Sequence, residues 1–66
     1  MPLVNVHMAA GRSAEEKTAF MAAITDAAEA TLGSPRASVR VWITEVDPHD
    51  FMTAGELLAD KQARQG

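Results

Sequence analysis

The sequence predicts an α+β fold in which a short β-α-β unit with parallel strands is followed by a hairpin-like tail. Alternating apolar residues predict strands over residues 3–8 and 38–45, and the alanine-rich segment between them predicts a helix. A strand, a helix and a second strand within about 45 residues form a βαβ unit, whose strands run parallel through a right-handed crossover.

Each predicted strand has one apolar face and one mixed face, as a half-buried strand does. The apolar faces consist of Val4, Val6 and Met8 in the first strand and of Val39, Val41 and Ile43 in the second. The mixed faces consist of Leu3, Asn5 and His7 and of Arg40, Trp42 and Thr44. We expect His7 to be a strand residue rather than a catalyst, and Trp42 to pack at a subunit interface or line a pocket.

The helix is predicted from residue 14 to residue 32. Ser13 is a good N-cap, and Glu16 completes an S-x-x-E capping box with it. Gly33 fits the position after the last helical turn, and Pro35 prevents the helix from continuing. Helical spacing gives one broad apolar stripe, made of Phe20, Met21, Ile24, Ala27, Ala28, Thr31 and Leu32.

After the second strand the sequence is less regular. Residues 47–50 are predicted as a turn, and residues 51–58 as a short extended or hairpin segment around Gly55. The polar segment ADKQARQG at residues 59–66 is predicted to fray.

The small size of the chain predicts assembly with other subunits. Its 66 residues form one domain, residues 1–66, and domains of this size are usually reinforced by disulfides, a metal or a partner. The chain has no cysteine, and His7 and His49 lack the spacing of metal ligands. Two strands alone also leave one sheet face and both sheet edges uncovered, so we expect an oligomer.

Charge and hydropathy exclude several classes of protein. The net charge is −3, and Lys and Arg are not clustered as they are in proteins that bind nucleic acid. No apolar run approaches the roughly 20 residues of a membrane span, and no signal peptide is recognisable. We therefore expect a cytoplasmic protein with neither a nucleic-acid partner nor a membrane partner.

Pro2 is the most informative candidate for chemistry. Removal of Met1 would leave a free secondary amine, and an ordinary N-terminal amine has a pKa of about 8. Nearby cations or desolvation lower that pKa, and a base with a pKa near the working pH suits general acid–base catalysis. Alternatively, Pro2 only begins an edge strand, where its missing N–H costs nothing.

Arg12, Arg40 and Phe51 are candidates for binding a substrate. Arg12 precedes the helix N-terminus, a position that suits an anion, although a solvated loop arginine is the commoner case. Arg40 lies between two valines of the second strand, where it either binds a carboxylate or faces water. Phe51 follows a polar loop and either walls an apolar pocket or anchors the loop.

Five segments together resemble the 4-oxalocrotonate tautomerase family. They are Pro2, G-R-S-x-E-x-K at 11–17, S-V-R-V at 38–41, I-T-E at 43–45 and F-x-x-x-G-E-L at 51–57. The resemblance implies short β-α-β subunits that pair into dimers with a four-stranded sheet, and three such dimers in a homohexamer. It also implies an isomerase without metal or organic cofactor, acting in aromatic degradation.

The resemblance assigns a role to each candidate residue. It implies that Pro2 is the catalytic base, that Arg12 binds a substrate carboxylate, and that Arg40 holds and polarises the enol or keto-acid end. Phe51 matches the apolar wall of the site, which is shared between subunits. The substrate is then a small carboxylic acid such as 2-hydroxymuconate, and the Pro2 nitrogen moves a proton from its hydroxyl group to a distant carbon.

Three residues depart from the family pattern. Thr53 and Ala54 replace an apolar residue and a glycine in the tail hairpin, and Trp42 is bulkier than the usual aliphatic residue. Relatives that hydrate or dehalogenate 3-haloacrylates have a water-activating glutamate where this chain has Thr53, which disfavours that activity. A chain that retains Met1 would instead be a catalytically silent subunit of a tautomerase-fold assembly.

Overall fold

The computed structural model describes residues 1–65 and confirms the β-α-β unit and the hairpin. The elements in chain order are β1 (Leu3–Ala9), α1 (Ala14–Leu32), a 3-10 turn (Arg36–Ser38), β2 (Arg40–Val46), a second 3-10 turn (Pro48–Asp50), β3 (Met52–Thr53), β4 (Glu56–Leu57) and α2 (Leu58–Gln65). The predicted bounds of the first helix are confirmed, and β1 continues one residue further than predicted.

The two long strands pair in parallel, as predicted, in a register that runs from Leu3 opposite Arg40 to Ala9 opposite Val46. The pairing extends beyond both ends, because the Arg40 N–H donates to the Pro2 carbonyl at 3.0 Å and the Ala10 N–H donates to the Val46 carbonyl at 2.9 Å. The amino ends of β1 and β2 therefore lie together at one edge of the subunit, and their carboxyl ends lie together at the other.

The second strand begins later than predicted. Ser38 and Val39 belong to the preceding turn, where the Ser38 N–H donates to the Pro35 carbonyl at 2.9 Å and the Val39 N–H donates to the Arg36 carbonyl at 3.2 Å. The Ser38 hydroxyl also donates to the Pro35 carbonyl, at 2.8 Å. These local bonds satisfy backbone groups that the prediction had assigned to the sheet, so β2 begins at Arg40.

Both predicted ends of α1 are confirmed. The Glu16 N–H donates to the Ser13 hydroxyl at 3.1 Å, and the Ser13 N–H donates to the Glu16 carboxylate at 3.1 Å. Gly33 adopts a left-handed φ of 66°, which lets its N–H reach the Glu29 carbonyl at 3.1 Å. Each of these bonds satisfies a terminal backbone or cap group that would otherwise need water.

The core of one subunit is thin. The helix covers the valine face of the sheet, and among the described residues only Ala28, at 8% exposure, is a buried hydrophobic residue. Phe20 and Leu32 of the predicted stripe remain exposed, because two strands are too narrow to cover the whole stripe. On the opposite sheet face Leu3 is 65% exposed and Trp42 is 46% exposed.

The tail does not fray as predicted, since residues 58–65 form α2. The sequence there is rich in good helix formers such as lysine, glutamine and arginine. Two contacts attach the helix to the hairpin: the Leu58 N–H donates to the Phe51 carbonyl at 2.8 Å, and the Arg64 guanidinium contacts the Glu56 carboxylate at 2.7 Å. Residue 66 of the predicted tail lies outside the described residues.

Neither helix in residues 1–65 is long and apolar enough to cross a membrane.

The predicted hairpin has a two-residue loop. Met52 pairs with Leu57 and Thr53 with Glu56, which leaves Ala54 and Gly55 at the turn. Both have positive φ values, 52° for Ala54 and 82° for Gly55. Positive φ at both positions is the requirement of a type I′ turn, for which Asn-Gly is the favoured pair. Ala54 is therefore a strained residue in this loop, because an alanine Cβ disfavours the left-handed region.

Ala54→Asn should stabilise the protein, because asparagine tolerates the left-handed region better than alanine does. We expect the free energy of unfolding to rise by about 0.5–1 kcal/mol, measured by urea denaturation at one fixed subunit concentration. The same exchange at Ala63, which lies in α2 with ordinary helical φ, is the control and should destabilise by about 0.5 kcal/mol. A loss of stability in Ala54→Asn would contradict the turn geometry.

Candidate active site

Pro2 lies at the amino end of β1, where it is half-buried and its carbonyl accepts the bond from Arg40 described above. The nitrogen of Pro2 is a tertiary amide while Met1 precedes it, and an amide is not a base. Met1 is 78% exposed, so the residue that blocks this nitrogen protrudes into solvent. Removal of Met1 would create a secondary amine at this edge of the sheet.

Arg40 begins β2 at the same edge as Pro2. Its side chain lies on the sheet face opposite to the helix. Alternation along the strands places it with Leu3 and Trp42, on the face that the helix does not cover. Its Nη1 donates to the Ala37 carbonyl at 2.7 Å, and within residues 1–65 the guanidinium makes no ion pair. Arg40 is exposed in a single subunit.

Arg12 lies at the opposite edge, in the loop between β1 and α1. The preceding Gly11 has a φ of 132°, a conformation that side chains disfavour and that turns the chain from strand to helix. The Arg12 Nη1 lies 3.3 Å from the Glu16 Oε2, and the side chains of this ion pair are 68% and 57% exposed.

The four predicted site residues do not converge within one subunit. Pro2 and Arg12 flank the two ends of β1, which has seven residues and at about 3.3 Å per residue separates them by more than 20 Å. Phe51 follows the turn after β2, is exposed, and lines neither of the cavities that contain Arg12. A site that uses Pro2 and Arg12 together therefore needs more than one subunit.

An open cavity of about 330 Å³ lies beside Arg12, lined by Met8, Arg12, Glu16, Lys17 and Phe20. Lys17 Nζ lies 2.9 Å from the Glu45 Oε1, and this pair joins the first turns of α1 to the end of β2. An adjoining depression includes Gln62 of α2 beside Arg12. The cavity thus combines apolar walls with two cations, each held by a carboxylate.

Glu16 remains ionised in this environment. The Ser13 backbone N–H is the main cause that lowers the pKa of its carboxyl group, followed by the Ser13 side chain and Arg12. The sequence predicted Glu16 only as a helix cap and missed its contact with Arg12, although the two residues are four apart. It also missed the Lys17–Glu45 pair and Gln62, the latter because the tail was not predicted as a helix.

The described residues contain no grouping of three or more His, Cys, Asp or Glu side chains able to hold a metal ion.

Residues 2–61 match the family model described as tautomerase enzyme. This range includes Pro2, Arg12, Arg40 and the hairpin. The chain belongs to the tautomerase family. It is 49% identical over 55 residues to a probable tautomerase of Ralstonia nicotianae, with coverage of 83% of this chain and 79% of the relative. It is 40% identical over 55 residues to the 2-hydroxymuconate tautomerase of Comamonas testosteroni, with coverage of 83% and 87%.

Solved structures of this tautomerase family have the same fold. TomN, a 4-oxalocrotonate tautomerase homologue in the tomaymycin biosynthetic pathway, superposes with a TM-score of 0.89 at 37% identity, covering 98% of this chain and 100% of TomN. A heterohexamer 4-oxalocrotonate tautomerase from Chloroflexus aurantiacus superposes with a TM-score of 0.85 at 37% identity, covering 91% and 97%. The predicted resemblance to the 4-oxalocrotonate tautomerases is confirmed.

Proposed function

We propose that this tautomerase interconverts the enol and keto forms of an unsaturated 2-hydroxy carboxylic acid, with the Pro2 nitrogen as general base. The observation that carries the proposal is the position of Pro2 at the open amino edge of the sheet, directly after an exposed Met1, in a chain of the tautomerase family. The similarity to a 2-hydroxymuconate tautomerase makes that diacid the first substrate to assay.

The proposed reaction moves one proton and needs no redox partner. The neutral Pro2 amine takes the proton from the substrate hydroxyl, and the oxygen lone pair forms the ketone C=O bond. The double bonds shift along the conjugated chain, and the Pro2 ammonium returns the proton to the carbon at its far end. Arg40 would stabilise the charge that develops on the enol oxygen, and Arg12 would bind a remote carboxylate. Phe51 would wall the site.

Assembly is part of the proposal, because Pro2 and Arg12 lie at opposite edges of a single subunit. Neighbouring copies would bring an Arg12 edge to a Pro2 edge and would cover the exposed Leu3 and Trp42. A homohexamer built as a trimer of dimers would meet both requirements, and the related Chloroflexus aurantiacus enzyme is a heterohexamer.

The test of this function is the pH dependence of the rate after removal of Met1. Only the neutral amine accepts a proton, so kcat/KM should rise with pH through one ionisation, at a pKa below the roughly 8 of an ordinary α-amine. The shift is downward because the guanidinium groups and partial burial disfavour the ammonium form. The pH profile is measured as the enol–keto conversion of 2-hydroxymuconate and of phenylenolpyruvate. The protein used is one whose terminus has been verified by mass spectrometry.

Two variants serve as controls for this profile. Pro2→Ala keeps a terminal amine, but a primary one, and should lower kcat. Protein that retains Met1 should be inactive, because its Pro2 nitrogen is an amide. Full activity of Met1-retaining protein would refute the mechanism, and inactivity of the processed protein would identify a silent subunit.

The two arginines should affect different kinetic constants. With the diacid 2-hydroxymuconate, Arg40→Ala should mainly lower kcat, because Arg40 acts where charge develops, whereas Arg12→Ala should mainly raise KM. Arg64→Ala is the control for general charge. It also removes one cation, but Arg64 contacts Glu56 of the hairpin. If Arg40→Ala and Arg12→Ala both leave kcat/KM within about twofold of the wild type, the assigned residues are wrong.

A further inference from the structure

The carboxylate of Glu16 has two partners at once. One oxygen accepts the Ser13 N–H at 3.1 Å, and the other lies 3.3 Å from the Arg12 Nη1. The capping box fixes the first oxygen, because the Ser13 hydroxyl in turn accepts the Glu16 N–H at 3.1 Å. Helix capping therefore holds a negative charge against the cation that is proposed to bind a remote substrate carboxylate.

The remainder of the cavity offers no surplus positive charge. Lys17 is the second cation of its lining, and its ammonium group is held at 2.9 Å by Glu45, in a pair whose side chains are only 25% and 36% exposed. Met8 and Phe20 supply apolar walls. Counted with their partners, the two cations and the two carboxylates sum to zero charge at the Arg12 edge.

We propose that Glu16 is a specificity-determining residue that disfavours substrates with a second carboxylate at the Arg12 edge. Such a diacid has to displace Glu16 from Arg12 or share the guanidinium with it. An enol acid with one carboxylate and an uncharged, apolar remote end meets the Met8 and Phe20 walls without that cost. Glu16 therefore shifts the substrate preference of this chain towards monocarboxylic enol acids, relative to a chain with an uncharged residue at position 16; this inference rests on the proposed tautomerase function.

Glu16→Gln separates the two roles of this side chain. Glutamine preserves the capping box, since S-x-x-Q caps a helix as S-x-x-E does, but it removes the charge beside Arg12. The kinetics are measured on Met1-processed protein with the diacid 2-hydroxymuconate and the monoacid phenylenolpyruvate. Because the pair is exposed, we expect the KM for the diacid to fall by about two- to fivefold. The kcat and the KM for the monoacid should stay within about 1.5-fold of the wild type.

Two further variants show whether the effect passes through Arg12. Glu15→Gln removes the same charge from the same helical turn, and among the described residues Glu15 makes neither a hydrogen bond nor an ion pair with Arg12. It should leave the ratio of the two KM values within about 1.5-fold of the wild type. In the double variant Arg12→Ala with Glu16→Gln, the effect of the glutamine should disappear relative to Arg12→Ala alone.

An unchanged KM ratio in Glu16→Gln, or a higher KM for the diacid, overturns the inference. A KM ratio that shifts equally in Glu15→Gln also overturns it, because the effect would then be one of general charge. These failures leave the proposed function in place, since the wild type would still show Pro2-dependent turnover. Absence of such turnover on both substrates would remove the inference and the proposed function together.

Discussion

The parallel pairing of β1 with β2 is the interaction on which the rest of the structure depends. It brings the two amino ends together, so that Pro2 and Arg40 share one edge, and it sends both carboxyl ends to the edge where Arg12 lies. It also makes a sheet too narrow to bury the apolar stripe of α1. The same pairing thus separates Pro2 from Arg12 and leaves the apolar surface through which copies of the chain would bring the two residues together.

The start of α1 contributes both to local folding and to the candidate site. A capping box is an ordinary way to satisfy the first N–H groups of a helix. Here the glutamate of that box also contacts Arg12, so the third residue of α1 both caps the helix and sets the charge beside Arg12. Asp47 uses similar bonds to His49 in the turn after β2, where the His49 N–H is the main cause that lowers the pKa of its carboxyl group.

Much of the fold could be predicted from the sequence, because the signals for β1 and for the two ends of α1 are local. The alternation in β1, the capping box at Ser13 and the glycine at position 33 each act within a few residues. The start of β2 could not be predicted, because Ser38 and Val39 bond to the preceding turn rather than to the sheet. The helix α2 was missed because its eight residues are mostly polar, and its contacts with the hairpin join residues that are seven and eight positions apart. The site residues were candidates from their positions in the sequence and took their roles from the resemblance, whereas the partner of Arg12 depends on side-chain geometry.

The central claim, that Pro2 of one chain acts with Arg12 of another, can be tested directly by mixing subunits. One variant keeps Met1 and so lacks the free amine, and the other is Arg12→Ala; the two are unfolded together, refolded and checked for mixed assemblies by native mass spectrometry. At diacid concentrations below KM, mixed assemblies should be more active than the average of the two separate proteins, because some sites regain both groups. Verified mixed assemblies with activity no higher than that average would contradict the claim.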